Sequence, residues 1–190
     1  MLVGVAVLAA FLVKTFVAQA FYIPSESMVP QLEVNDRIVV SKLAYDLHPP
    51  RRGDVVVFTA PPSQQPFQAP DTSPVIAHWL RNVGVAVGVI APSTEDFVKR
   101  VIGLPGDVVE GRGGHVYVNG RLLAEPYLPP GTRTSDFGPV KVPAGHLWVL
   151  GDNRGDSCDS RCFPEGSIPI SSVIGRAIVR VWPPSDLSFL

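Results

Sequence analysis

The sequence predicts a mostly β protein that follows one N-terminal apolar segment. Pro accounts for 20 of the 190 residues, about twice the usual share of roughly 5%. Short Val-rich runs recur between Gly and Pro residues, a pattern that favours strands and turns over long helices. The length fits one well-buried core with a small accessory lobe.

The N-terminal segment is predicted to be a transmembrane anchor over residues 1–22. Residues 1–23 carry one charge, Lys14, and as a helix they would span about 35 Å, enough to cross a hydrocarbon core of about 30 Å. The alternative is a cleaved secretory signal, because Ala18-Gln19-Ala20 matches the small-x-small cleavage pattern. No positive region precedes the apolar run, and Lys14 would fall inside it, so we expect the anchor.

Seven runs after the anchor have the composition of strands. In "HVYVNGRLL", the pair Asn119-Gly120 predicts a hairpin with a type I′ turn, which needs positive φ at both central residues. The predicted strands cover residues 36–43, 53–59, 96–103, 106–111, 115–123, 146–152 and 173–182.

The segment between the second and third predicted strands has a different composition. Residues 60–74 are rich in Pro, Gln and Ser, which is typical of an extended loop. After it, apolar residues recur at helical spacing, which predicts a short amphipathic helix, packed on the core or in contact with lipid. The residues of this pattern are Ile76, Leu80, Val83, Val87 and Ile90.

Charge and cysteine content argue against nucleic-acid binding and against a zinc site. The formal net charge is −1 and there is no basic stripe, which argues against nucleic acid as a partner. Cys158 and Cys162 lie in one short loop, where a local disulfide and free thiols both fit the spacing. No nearby set of Cys and His residues completes a zinc site.

Ser27, in "FYIPSESMVP", is the candidate nucleophile, and it needs a base that accepts its proton. No motif surrounds any of the four histidines, so we interpret them as structural: His48, His78, His115 and His146. Lys99 is the alternative base, because strand alternation in "DFVKRVIGLPGD" places it between Phe97 and Val101. Apolar burial lowers the pKa of an ammonium group toward neutral pH. On periodicity alone, Lys99 could equally be a solvated lysine at a sheet edge.

Besides the segments around Ser27 and Lys99, a third segment could carry chemistry: "GDNRGDSCDSR", residues 151–161. Such a run is usually a turn. A calcium loop would need a glutamate at its end, and that glutamate is missing.

Four ordered motifs behind the apolar segment resemble the type I signal peptidases of bacteria, membrane-bound serine endopeptidases that use a Ser/Lys dyad. The motifs are "IPSESMVPQL", "GDVVVF", "FVKRVIGLPGD" and "GDNRGDSCDSR". The resemblance implies a catalytic domain of coiled antiparallel sheets over residues 23–190. Within it we expect a small accessory β region at 111–145. Residues 60–95 are longer than the corresponding part of a minimal family core, so we treat them as an insertion, about whose role the resemblance says nothing. The resemblance implies no metal and no other cofactor.

The resemblance also assigns roles to residues of this chain. Ser27 corresponds to the nucleophile and Lys99 to the general base, while the Ser25 hydroxyl and the Ser27 backbone N–H correspond to oxyanion donors. Ser157 corresponds to the serine that orients the lysine. The residues expected to support the site are Asp159, Arg161 and Asp152. Asp152, Asn153 and Arg154 fall on the GDNR turn of the family pattern, and we expect that turn to be structural.

Two positions depart from the family pattern. Asp156 stands where Asn is common, and Cys158 stands where a small residue near the lysine is frequent. As a free thiol, Cys158 could be modified and block the base.

The implied partners are preprotein signal peptides and membrane lipid, and the implied state is a monomer. The implied location is the bacterial inner membrane, with a single span and the catalytic domain on the extracytoplasmic face. Two alternatives stay open at this point: a membrane-anchored β module that binds peptides without cleaving them, and a related peptidase with a specialised substrate.

Overall fold

The computed structural model describes residues 17–64 and 96–190. Within these ranges the chain forms twelve strands, one short helix, α1 (Ala44–Leu47), and several 3-10 turns. The strands are β1 (Ala18–Tyr22), β2 (Arg37–Ser41), β3 (Val55–Thr59), β4 (Asp96–Gly103), β5 (Val108–Arg112), β6 (His115–Val118), β7 (Arg121–Leu122), β8 (Phe137–Lys141), β9 (His146–Leu150), β10 (Ile168–Pro169), β11 (Val173–Trp182) and β12 (Ser188–Phe189). The prediction of a mostly β protein is confirmed.

The larger sheet carries the residues of most interest. Its strand order is β1-β2-β11-β3-β4-β9-β10, with β12 paired to β11, and the pairs are antiparallel. Strand β4 lies between β3 and β9, and its last five residues are buried. Its central position explains the apolar composition of "FVKRVIG", because a strand with neighbours on both edges and layers on both faces meets little water.

The smaller sheet has the order β7-β6-β5-β8. Asn119 and Gly120 join β6 to β7 with φ of 52° and 74°, as the type I′ prediction requires. The carboxylate of Asp107 and the backbone of Val108 both bond to the Asn119 side chain, so the turn is tied to the start of β5.

Three groups of buried apolar side chains form the core. The first lies around Ile23, Met28 and Leu32 together with β2 and β3, and therefore under the chain that carries Ser27. The second includes Val56, Val101 and Phe163. The third joins Ile102 and Trp148 of the larger sheet to Val109 and Val116 of the smaller one, so the two sheets share apolar packing.

The end of the predicted anchor is a strand rather than a helix. Residues 18–22 pair with β2 in an antiparallel register that joins Ala18 to Ser41 and Tyr22 to Arg37. Phe21 and Ile23 are buried while Tyr22 between them is exposed, the two-residue period of a strand. Pairing with β2 gives the backbone of β1 its hydrogen-bond partners, and Phe21 and Ile23 pack in the first core group. The structure therefore shows a strand where the last residues of the predicted anchor were expected to be helical.

Several predictions lie outside the described residues. These are residues 1–16 of the predicted anchor, most of the segment 60–95 with its predicted amphipathic helix, and His78. Among the residues that are described, no helix has the length and apolar character needed to cross a bilayer.

Candidate active site

Ser27 lies on a 3-10 turn, Glu26–Met28, that follows β1. Apolar packing holds the turn in place, because Met28 is 1% exposed and Ile23 is 2% exposed within the first core group. The backbone N–H of Val29 donates to the carbonyl of Glu26 at 3.0 Å. The turn therefore presents Ser27 on a fixed support instead of a free loop.

Lys99 reaches Ser27 from the middle of β4. Its Nζ lies 2.6 Å from Ser27 Oγ and 3.0 Å from the carbonyl oxygen of Val98. On the neighbouring strand Lys99 is opposite Val56, and its Nζ lies 5.4 Å from the centre of the Phe97 ring. Residues 72 positions apart in the chain are thus in direct hydrogen-bond contact.

Burial lowers the pKa of Lys99 to about 8, because the ammonium form loses its hydration. Lys99 is 4% exposed. The carboxylates of Asp159 and Asp152 oppose the shift, since negative charge favours the ammonium form. Desolvation is the larger effect, so a useful fraction of Lys99 is a neutral amine near neutral pH. A neutral amine can accept the hydroxyl proton of Ser27.

Ser25 lies beside this pair on the exposed side of the turn. Its Oγ is 3.3 Å from Ser27 Oγ. The buried Lys99 amine, Ser27 Oγ and Ser25 Oγ are therefore connected in that order, and Ser25 is the exposed end of this set of polar groups.

The turn after β9 closes over the backbone of Ser27. A Cβ atom on Gly151 would collide with Ser157 Oγ and with the carbonyl oxygen of Ser27, so glycine is needed there for close approach rather than for an unusual φ. The backbone N–H of Asn153 donates to the Ser27 carbonyl at 3.1 Å, and its side-chain amide donates to the Glu26 carbonyl at 3.2 Å.

Ser157 lies close to these residues, but it does not bond to Lys99. Its Oγ is buried and has no hydrogen-bond partner among the described residues. The second polar contact of Lys99 Nζ is the Val98 carbonyl instead.

Two ion pairs with buried carboxylates lie behind the site. Arg100, the neighbour of Lys99 on β4, donates to both carboxylate oxygens of Asp152, at 2.8 and 2.5 Å, and its guanidinium stacks on Tyr127 at 4.0 Å. Asp159 accepts the Gly151 N–H at 2.9 Å and two bonds from the Arg161 guanidinium, at 2.9 and 2.8 Å. Each carboxylate is therefore paired, as buried charges must be.

Arg154 connects the site to the smaller sheet region. Its guanidinium bonds to both oxygens of Glu125 and to Thr134, while its own carbonyl accepts a bond from Arg161 at 2.9 Å. The supporting residues of the resemblance are thus brought together around one turn.

Cys158 and Cys162 form a disulfide. Of the two alternatives that their spacing allows, the structure therefore shows the disulfide. A free thiol at Cys158 that could be modified is absent, because the sulfur is already bonded.

An open cavity of about 430 Å³ lies over the Ser27–Lys99 pair. The histidines of the described part of the chain, His48, His115 and His146, are not in its wall, and no cluster of metal-ligating side chains was found in that part. The wall consists of Ile23, Pro24, Ser25, Glu26, Ser27, Met28, Asp96, Phe97, Val98, Lys99, Asp156 and Cys158.

Sequence reasoning missed three groups near this site. Glu125 and Tyr127 come from a polar, Pro-rich stretch without periodicity, and only the fold brings them to the site. The side-chain bond of Asn153 to the turn that carries Ser27 spans 127 positions, and the "GDNR" run shows only that a turn forms there. Glu26 is adjacent to Ser27 and could have been singled out from the sequence.

Comparison with known proteins agrees with the resemblance seen in the motifs. The family model for signal peptidase, peptidase S26, matches residues 1–182. A signal peptidase I of Leptolyngbya laminosa is 44% identical over 99% of this chain and 80% of its own length. A signal peptidase I of Mycobacterium tuberculosis is 42% identical over 95% and 70%, and one of Bacillus caldolyticus is 35% identical over 97% and 91%. The chain therefore belongs to the signal peptidase family of serine proteases, peptidase S26.

Proposed function

We propose that Ser27 and Lys99 are the catalytic dyad of this protein, a serine endopeptidase of the signal peptidase I type that removes N-terminal signal peptides from preproteins. The observation that carries the proposal is the 2.6 Å contact between Ser27 Oγ and Lys99 Nζ, made by a lysine that is 4% exposed. A serine hydroxyl becomes a useful nucleophile only when a base accepts its proton. Among the described residues that form the cavity wall, Lys99 is the basic side chain.

In the acylation step, Ser27 Oγ attacks the scissile carbonyl carbon while its proton passes to neutral Lys99 Nζ. The tetrahedral intermediate then collapses, the C–N bond breaks, and the Lys99 ammonium gives its proton to the leaving amine. Water hydrolyses the acyl-enzyme in the second half: Lys99 takes a proton from the water, and then returns it to Ser27 Oγ as the ester bond breaks. Protons and electrons balance without a cofactor.

The negative oxygen of the intermediate needs donors that are already in place. The Ser25 hydroxyl and the backbone N–H of Ser27 are the proposed donors. The position of Ser25 Oγ, 3.3 Å from Ser27 Oγ, supports this role, because the oxyanion forms on the same carbon that Ser27 Oγ attacks.

The remaining residues hold this arrangement. Asp152 stabilises the buried Arg100, and Asp159 stabilises the partly buried Arg161. The charges of both carboxylates keep the pKa of Lys99 from falling further. Ser157 is proposed to orient the Lys99 amine. Its buried hydroxyl, which lacks a partner among the described residues, is available for such a bond.

The substrate is proposed to bind as an extended strand with small side chains, typically Ala, in two shallow pockets before the scissile bond. The open cavity over the dyad supports this binding mode. Preprotein signal peptides and lipid are the proposed partners, and we expect a monomer.

The proposed location is the bacterial inner membrane, with one span in the N-terminal segment and the catalytic domain on the extracytoplasmic face. The disulfide between Cys158 and Cys162 supports this location, because disulfides persist in oxidising compartments and are rare in the cytosol.

The proposal is tested by cleavage of a preprotein that carries an Ala-x-Ala site. Ser27→Ala and Lys99→Ala should each lower kcat by about 10⁴- to 10⁶-fold, as in other serine proteases that lose a dyad or triad member. Ser171→Ala and Lys141→Ala are the matched controls, since both residues are exposed and outside the cavity wall. Cleavage by Ser27→Ala at the rate of the controls would refute the proposal.

A further inference from the structure

We propose that Asn153 is a positioning residue for the oxyanion, whose side-chain amide holds the peptide that carries the Ser27 N–H. The inference deepens the proposed function and rests on Ser27 as the nucleophile. It adds a residue that touches neither the substrate nor the reacting atoms.

Asn153 binds two successive carbonyl groups of the nucleophile's turn. Its side-chain Nδ2 donates to the Glu26 carbonyl at 3.2 Å, and its backbone N–H donates to the Ser27 carbonyl at 3.1 Å. Both acceptors are carbonyl oxygens, so the amide must face them with N–H groups. Asn153, in the turn after β9, thus bonds to the two peptide units that flank the Ser27 Cα.

The planarity of the peptide unit links the Glu26 carbonyl, which Asn153 binds, to the direction of the Ser27 N–H. A peptide unit is planar and trans, so its C=O and the next residue's N–H point in opposite directions. When Asn153 fixes the direction of the Glu26 C=O, it also fixes the direction of the Ser27 N–H. The side-chain bond therefore acts on the donor proposed for the oxyanion.

The same bond strengthens that donor. The Glu26 carbonyl accepts two bonds, one from Asn153 Nδ2 and one from the Val29 N–H at 3.0 Å. Hydrogen bonds to a peptide carbonyl polarise the whole unit and make its N–H a better donor. The polarisation matters most when the oxygen on the substrate becomes negative.

The packing of the turn does not fix the direction of its peptide groups. Met28 and Ile23 anchor the turn in the core, but both side chains are apolar and make no hydrogen bond to its backbone. Gly151 lets the turn after β9 approach the Ser27 carbonyl closely, which brings Asn153 within reach. Without the amide, the Glu26 carbonyl would keep one hydrogen bond among the described residues, the one from the Val29 N–H.

The test compares Asn153→Ala and Asn153→Leu with the wild type. Both lose the side-chain donor and keep the backbone N–H, and neither adds charge near Lys99. Full loss of an oxyanion donor costs about 10²- to 10³-fold in kcat, and a misplaced donor costs less, so we expect kcat to fall about 10- to 100-fold with KM within about twofold of the wild type. Asn119→Ala is the matched control: it loses two side-chain bonds in the remote hairpin, and should lower stability but keep kcat.

A transition-state analogue separates positioning from general loss of structure. Ser27 Oγ adds to the carbonyl carbon of a substrate-derived peptide aldehyde while Lys99 takes its proton, which leaves a hemiacetal oxyanion against the Ser27 N–H. Inhibition by the aldehyde should weaken by the same factor as kcat in both Asn153 variants. Binding of the uncleaved peptide to Ser27→Ala and to Ser27→Ala/Asn153→Ala should be equal, because the ground-state carbonyl is neutral.

The outcomes are distinguishable. If Ser27→Ala is inactive and the Asn153 variants keep the wild-type kcat and aldehyde inhibition, the inference is wrong and the dyad stands. The inference is also wrong if KM rises by the same factor by which kcat/KM falls, or if aldehyde inhibition is unchanged. Activity of Ser27→Ala itself would overturn both the dyad and the inference.

Discussion

The buried amine of Lys99 carries a cost in stability at neutral pH. Its pKa is about 8 in the folded protein against an ordinary value of 10.5, so between these pH values the unfolded chain binds more protons than the folded one. Stability therefore rises with pH across this window. Below pH 8 both states are protonated and the folded state bears the full penalty, on the order of 3 kcal/mol.

Lys99→Met tests this cost at the level of one residue. Met has a similar length and no charge to desolvate, so we expect the variant to be inactive and more stable than the wild type by about 1 to 3 kcal/mol at pH 7. The gain should shrink as the pH approaches 10.5. Urea unfolding at several pH values measures it, and a variant less stable than the wild type at pH 7 would contradict the account of Lys99 burial.

At the level of strands and turns, the ion pair of Arg100 and Asp152 ties β4 to the turn after β9. The side chains are 7% and 0% exposed. Such a pair adds little stability relative to apolar residues, but the loss of one partner leaves the other charge buried and uncompensated, which costs about 3 to 5 kcal/mol.

Asp152→Asn is therefore expected to lower the free energy of unfolding by about 3 kcal/mol. The matched control is Glu110→Gln, which removes a carboxylate from a surface pair with Arg112, whose side chain is 59% exposed. Surface pairs contribute about 0 to 1 kcal/mol. Equal effects of the two substitutions in urea unfolding would show that the buried pair does not have the expected role.

Strand periodicity predicted much of the larger sheet. The run 96–103 coincides with β4, and the alternation of Phe97, Lys99 and Val101 anticipated a lysine among apolar neighbours. The run 173–182 coincides with β11. These segments were predictable because a buried strand needs apolar residues along its length, which is a local property of the sequence.

Other elements depend on partners that are distant in the sequence. Strand β8 contains Gly138 and Pro139, a pair that is typical of a turn. The pair is tolerated in this strand because β8 is at an edge of its sheet. Strand β1 has an apolar composition that a helix shares, and only pairing with β2 decides between the two. The contact of Asn153 with Glu26 is non-local in the same way, so no local pattern reveals it.

At the level of the whole molecule, polar bonds and apolar packing join the two sheets behind the candidate site. Arg154 in the turn after β9 pairs with Glu125, and Arg52 beside β3 pairs with Asp107 at the start of the smaller sheet region. Trp148 of β9 stacks on Phe137 of β8 at 5.4 Å. The smaller sheet therefore supports the turn that contacts the Ser27 backbone.

The measurement that tests the Ser27–Lys99 dyad most directly is the pH dependence of kcat/KM for a preprotein substrate. If neutral Lys99 is the base, kcat/KM should rise with pH along a limb whose midpoint is near 8, the pKa that burial gives Lys99. Lys99→Arg should be inactive across this range, because a guanidinium stays protonated. A limb with its midpoint at 10 or above, or near wild-type activity in Lys99→Arg, would contradict the dyad.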